Sequence, residues 1–402
     1  MSLSSPWRAD FPAMAAFTAS RQTYLDNAAT TQKPQALIDA ISRCYSLGIA
    51  NVHRARHHPA EHITRAFEGA RQSVARWFGV SDSRQIIFTH GSTEALNLLA
   101  YGLEQRVGPG DDIVISALEH HANLLPWQQL ARRCNARLVV LPLDASGQVD
   151  LEEARWLIGP RTRILAISQL SNVLGCWLPL PELLAMARAQ GALTLVDGAQ
   201  GAAHGRHALP ELGCDFYVCS AHKFYGPDGV GILYGRHKAL QLLQPWQFGG
   251  EMVRHADYQS ADFHPAPLGF EAGTPPIAGI VGLGATLDYL SRQDTRAIRQ
   301  HEQNLHQQLL TGLQARRGVC LLGRPQAALA SFTVNGVHPA DLAQLLAEQG
   351  VAIRSGSHCA MPLMHQLGLE GGALRVSLGL YNDGQDLEQF FRALDQALEL
   401  LA

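Results

Sequence analysis

The sequence predicts an α/β fold: a doubly wound, mostly parallel sheet, joined to a second, smaller α+β domain. Three observations carry that prediction. From about residue 84 onward, short β-branched runs alternate with helical patterns, which is how a parallel sheet crossed over by helices reads. The runs are apolar throughout rather than alternating, as expected of strands buried on both faces. After "EAGTPP" (271–276) the texture changes to long helical patterns with short strands between them, the mark of a separate α+β unit.

In chain order the strand candidates and their helices are "QIIFT" with "STEALNLLAYGL", "DDIVIS" with "PWQQLARRC", "ARLVVLPL", "TRILAIS" with "PELLAMARAQ", "ALTLVD", "DFYVCS" and "GVGILYG". The C-terminal helices are "GLGATLDYLSRQ", "RQHEQNLHQQLLTGLQARR", "PADLAQLLAEQG" and "DLEQFFRALDQALELL", with the strand "LASFTVNG" among them. The organisation expected is an N-terminal segment 1–21 packing with the small domain, a large domain 22–290, and a small domain 291–402 that carries a cysteine-bearing loop.

With 402 residues, the chain is long enough for a sizeable core and more than one domain. Its 32 basic and 35 acidic residues are evenly spread, so it lacks the basic stripe that phosphate-backbone binding needs, and nucleic acid is not expected as a partner. "MSLSSPWRADFPAMAAFTAS" has no sustained apolar core of an export signal, and "IAGIVGLGATL" falls short of the ~20 residues of a membrane helix. A cytoplasmic location without a membrane partner is the expectation. The seven cysteines form no C-x-x-C pair, as expected of free thiols. His58 and His62 are four apart in "VHRARHHPAEH", but no accompanying ligands have zinc spacing, and no metal is expected.

The chemistry lies beyond the strand ends, where ligands of such sheets bind. Lys223 follows "DFYVCS" and precedes a turn with Gly226, Pro227 and Gly229; Asp197 ends "ALTLVD". A carboxylate leaving a buried strand calls for a cation. An amine for a Schiff base and an acid for a pyridine nitrogen are what pyridoxal phosphate demands. "FTHGSTEALN" adds a strand, then Gly91, Ser92 and Thr93 opening a helix, where free N–H groups favour an anion. Cys359, in "RSGSHCAMP", sits in a glycine- and serine-rich turn close to Arg354 and His358, unlike the apolar surroundings of a packing thiol.

In their order, "YLDNAATTQKP", "NVHR", "HGSTEALN", "EHHANLLPW", "SNVLG", "VDGAQG", "SAHKFYGPDG", "EAGTP" and "RSGSHCAMP" resemble the cysteine desulfurase family. Those enzymes have the pyridoxal-phosphate-dependent transferase fold of type I, and the likeness runs over essentially the full chain. The R-x-G-x-H-C-A form is similar to the group of SufS/CsdA-type desulfurases, selenocysteine lyases and cysteine sulfinate desulfinases. The resemblance implies pyridoxal 5'-phosphate bound through Lys223, with Asp197 on the pyridine nitrogen, Gln200 on the phenolic oxygen and His120 stacked on the ring. His121 is the rival for that last role. It further implies Ser92, Thr93, Ser220 and His222 on the phosphate, joined by Thr274 of a second subunit, hence a homodimer. Arg375, with Asn172 and Arg354, would hold the substrate, and Cys359 would take sulfur from L-cysteine as a persulfide and pass it to a SufE-like acceptor protein. His53 and Arg54 match the "NVHR" of the family and are expected to face the neighbouring site.

Three positions depart from the family pattern: Ala221 and Phe248 where glycine is common, and Ser357 where histidine or glutamine is frequent. Rival readings are another fold-type I lyase or aminotransferase, with Cys359 incidental, and a non-catalytic cofactor-binding scaffold.

Overall fold

The computed structural model describes residues 4–54 and 56–401. Seven strands form the central sheet: β1 (Ile86–Thr89), β2 (Asp112–Ser116), β3 (Arg137–Leu141), β4 (Thr162–Ser168), β5 (Leu193–Asp197), β6 (Phe216–Ser220) and β7 (Gly231–Gly235). Their spatial order is β1-β7-β6-β5-β4-β2-β3. Six run parallel, and β7 runs against both its neighbours.

The uninterrupted apolar runs have the expected cause. Val114, Val196, Tyr217 and Cys219 pack into the core on one face of the sheet, and Ile113, Ile115, Leu195, Phe216 and Val218 into the core on the other. Alternate side chains point to opposite faces, so a strand covered on both sides has no polar face to show. β3 differs, being partly exposed along its length, because it lies at the edge of the sheet and only one of its sides is paired.

A second sheet holds β8 (Val319–Leu321), β9 (Leu329–Val334), β10 (Arg354–Gly356) and β11 (Ala373–Ser377), in the order β8-β9-β11-β10, all antiparallel. Helices Thr295–Gln314, Pro339–Glu348 and Gly384–Leu401 cover it and share its core, which includes Leu309, Phe332, Leu346 and Phe390. The N-terminal segment packs here: Ser5 Oγ donates to the Leu380 carbonyl (2.7 Å), Arg8 pairs with Asp386 (2.9 Å), and Thr23–Tyr24 adds as a parallel strand beside Val351–Ala352.

Several contacts place the active-site elements. Gly231 of β7 lies against the backbone of Gly91, so close that a Cβ there would sit 2.4 Å from Gly91 Cα. This approach sets the start of helix α1 (Ser92–Gly102) beside the ends of β6 and β7. The loop 271–276 is anchored through Glu271, which pairs with the buried Arg71 guanidinium (2.6 Å) and accepts from the Phe88 N–H (2.7 Å).

Among the described residues no helix is long and apolar enough to cross a membrane, and no group of three or more His, Cys, Asp or Glu side chains has metal-binding geometry. The cysteines are free thiols, with Cys214 and Cys219 fully buried.

Candidate active site

A cavity of about 240 Å³ opens where β4, β5 and β6 end, and Ser92, Thr93, His120, Asn172, Asp197, Gln200, Ser220, His222, Lys223, Arg354 and Arg375 all line it. Asp197 closes β5 and accepts the Ala199 N–H at 2.9 Å. Burial pushes its carboxyl pKa up, opposed by that hydrogen bond and by the Lys223 charge. Lys223 stands in the single turn after β6; burial pulls its ammonium pKa down, against the attraction of Asp197. Each group thus offsets part of the other's desolvation, and the amine is drawn toward the neutral, nucleophilic form.

Helix α1 points its N-terminus at the same space. The Ser92 N–H donates to Ser220 Oγ at 2.8 Å, and the two serine hydroxyls are 2.9 Å apart. With Thr93 and His222, whose imidazole pKa burial lowers to about 4, they make a donor set suited to an oxyanion. Gln200 is fixed by donating to the Ala28 carbonyl (2.8 Å).

His120 and His121 part company. His120 lines the cavity, accepts the Ala122 N–H on Nδ1 (3.0 Å), and has its pKa lowered to about 3, chiefly by burial and then by Lys223. His121 lies instead against the Cys359 loop: its main-chain N–H donates to the Cys359 carbonyl (2.7 Å) and its Nε2 accepts the Met361 N–H (3.2 Å).

Arg375 on β11 is buried and paired with Asp26 (3.1 Å), rather than forming a surface ion pair, and donates to the Asn172 carbonyl (3.0 Å). Its Nε is buried without a partner, a donor left for a ligand. Arg354 faces it across the β10–β11 ladder, and its Nη2 lies 3.8 Å from Cys359 Sγ. Cys359 itself is half-buried beside the cavity rather than among its lining residues. His358, which does line the cavity, donates from Nε2 to the Ala373 carbonyl (3.0 Å); burial and the two arginines lower its pKa to about 3.

Thr274 is exposed and does not line this cavity. His53 bonds Glu68 (3.0 Å) and Arg54 pairs with Glu251 (3.2 Å). Of the departures from the family pattern, Ala221 is buried against Gly226, whereas Phe248 is 66% exposed and tilts against Phe263. Ser357 accepts the Ala360 N–H through its carbonyl, a main-chain bond indifferent to its side chain.

Residues 23–390 match the model of the aminotransferase class-V family. The chain belongs to that family. Among its class-V relatives, it is 69% identical to a probable cysteine desulfurase of Pseudomonas putida, with 99% of both chains covered. It superposes on the crystal structure of the cysteine desulfurase CsdA of Escherichia coli with a TM-score of 0.92 and 40% identity over 98% of each chain. A further neighbour is a mutant of C-DES with glycine covalently linked to its pyridoxal phosphate cofactor (TM-score 0.84, 25% identity, covering 97% of this chain and 99% of that one). The class-V cavity here fits such a group: an amine, a buried acid, a helix N-terminus with serine and threonine hydroxyls, and an imidazole share one space.

Proximity in space revealed residues to which sequence reading assigned no role. Asp26 fixes Arg375, although "YLDNAATTQKP" had contained it as a motif residue only. Ser168 ends β4 and lines the cavity; the rule that ligands bind beyond strand ends was the signal for it.

Proposed function

We propose that the protein is a pyridoxal-phosphate-dependent cysteine desulfurase, converting L-cysteine to L-alanine and leaving sulfur as a persulfide on Cys359. One observation carries the assignment of the nucleophile: Arg354 both lines the cavity and approaches Cys359 Sγ to 3.8 Å. The thiol is therefore one guanidinium away from the amine and acid that cofactor chemistry needs, with a fixed positive charge beside it.

When bound, the cofactor supplies the electron sink that acidifies Cα–H of the amino acid and loosens its Cβ–S bond. Lys223 would hold it and move the proton at Cα, Asp197 would hold the pyridine nitrogen in its charged form, and His120 would cover the ring. Ser92, Thr93, Ser220 and His222 would take the phosphate, and Gln200 the phenolic oxygen. Arg375 and Asn172 would grip the substrate carboxylate, for which a planar fork is suited. The Cys359 thiolate then attacks the substrate sulfur: the S–S bond forms as the Cβ–S bond breaks, the electron pair stays with carbon, and a proton completes alanine.

L-Cysteine sulfinate needs no such attack, since its sulfur departs as SO2 with the bonding pair left on carbon. The same site is expected to accept it and selenocysteine. The working form is a homodimer in which Thr274, on its exposed and anchored loop, completes the phosphate site of the partner, and a SufE-like protein takes up the persulfide sulfur in the cytoplasm.

The test counts alanine made by the parent and by Cys359→Ala from each substrate. The expected result is loss of cysteine turnover by at least about 10²-fold with sulfinate turnover kept. If the variant still desulfurises cysteine, the thiol is incidental and another lyase reading takes over. A parent inactive on both substrates would favour the scaffold.

A further inference from the structure

We infer that His121 is a positioning residue that clamps the Cys359 loop onto the large domain, and that the thiol-dependent reaction needs it whereas the thiol-independent one does not. The inference rests on the desulfurase reading above.

The loop needs holding. His358 and Cys359 are consecutive non-glycine residues with φ of +50° and +57°, a left-handed conformation that costs roughly 1 kcal/mol or more each and persists only where surroundings enforce it. Only Ser357 separates Gly356, the end of β10, from His358, and helix Met361–Gln366 begins directly after Ala360. Beside the bond from His358 Nε2 to the Ala373 carbonyl of β11, the enforcement comes from the large domain. Asn172 Nδ2 donates to the His358 carbonyl at 2.8 Å, and the next carbonyl, of Cys359, accepts the His121 N–H at 2.7 Å. The Met361 N–H, an opening amide without an intrahelical acceptor, donates to His121 Nε2 at 3.2 Å. Two of these three bonds belong to His121. To accept on Nε2 the imidazole must be neutral, with its proton on Nδ1.

The clamp has a rigid base. His121 opens the short turn His121–Asn123 after β2, and the preceding Glu119 is buried with its carboxylate accepting from Asn123 Nδ2 (2.7 Å), the Ser168 N–H (3.0 Å) and Ser168 Oγ (2.5 Å). The turn is thereby tied to the ends of β2 and β4. The adjacent histidines then divide the work, His120 facing the cavity and His121 facing the nucleophile's loop.

The test compares His121→Phe, which keeps a flat ring without an acceptor, with His121→Gln, which retains an acceptor oxygen. The main-chain bond to Cys359 survives in both. In the holoenzyme, His121→Phe is expected to lower kcat on L-cysteine about tenfold, since small misplacements of a reacting group cost one to two orders of magnitude. Turnover of L-cysteine sulfinate should stay within about twofold, and hydrogen exchange of the peptide spanning 357–365 should quicken. His121→Gln should restore both readouts toward the parent. Equal losses on the two substrates would mean that the ring serves the cofactor side, and unchanged exchange would remove the clamp; either overturns the inference. Exchange is read without turnover, so a parent inactive on cysteine would defeat the desulfurase reading while leaving the clamp to be judged on exchange. If His121→Phe does not accumulate folded, His121→Ala, which demands no space, replaces it under the same criteria.

Discussion

Single groups at the base of the cavity work in opposed pairs. Burial alone would discharge both Asp197 and Lys223, and each is partly held in its charged form by the other. Asp197→Asn separates charge from shape, because an amide oxygen can still accept the Ala199 N–H while the negative charge is gone. The variant is expected to fold and to lower kcat for alanine formation by about 10²-fold or more, the scale of a lost acid–base contribution, with altered absorbance of the bound cofactor. Steady-state kinetics with a visible spectrum checks it; parent-like kcat would deny Asp197 its role. Arg375 shows the same economy. It keeps two partners, Asp26 and the Asn172 carbonyl, and one unpaired buried Nε, so it is fixed in place yet still has a donor to offer a carboxylate.

Among the elements, the arrangement depends on how closely two backbones approach. Helix α1 can begin beside the ends of β6 and β7 only because Gly231 carries no side chain. Gly231→Ala would put a methyl inside the contact radius of Gly91, and either β7 or the start of α1 must shift. The expected cost is about 1–3 kcal/mol of stability, together with weaker binding of pyridoxal phosphate through displaced Ser92 and Thr93. A thermal midpoint and a cofactor titration measure the two effects, and a parent-like result in both would mean that the approach is not tight. Glu271 and Arg71 do the equivalent work for the loop bearing Thr274, which is held at a set distance from the sheet by a buried ion pair. In such pairs breaking one partner is costly because it strands the other.

Across the whole molecule, the titrating groups set a direction for pH dependence. Burial lowers the pKa of His120 and His358 to about 3 and of His222 to about 4, and it also lowers those of His207 and His306. Unfolded, each imidazole takes a proton near 6.5, whereas folded it does not until lower pH. The unfolded chain therefore binds more protons below about pH 6.5, and stability falls as pH falls through that window. Glu119, raised to about 7 by burial, acts the other way: it holds its proton in the folded state above 4.5 and favours folding more as pH drops. Asp197, also raised, joins it. Five histidines outweigh two carboxyls, so the melting temperature of the cofactor-free protein is expected to fall from pH 6.5 to 4.5. Scanning fluorimetry across that range checks this, and a flat or rising profile would contradict it.

The sequence by itself determined the elements and the inventory of chemistry. Strand and helix placement follows from local apolar patterns, so the runs from "QIIFT" to "GVGILYG" were legible as a two-faced sheet, and Lys223, Asp197 and the opening of α1 were legible because ligands gather beyond strand ends. Cys359 stood out through its neighbours in the chain. Partnership was not legible, because it is set by residues far apart in sequence. Nothing local says that β7 runs against the others, that Asp26 holds Arg375 from 349 positions away, or that one of two adjacent histidines turns to the cavity and the other to a loop 240 residues on. Those choices were made only when packing closed the sheet and brought the second sheet and its helices beside it: burial then required stranded donors, acceptors and charges to find partners in whatever segment lay nearest.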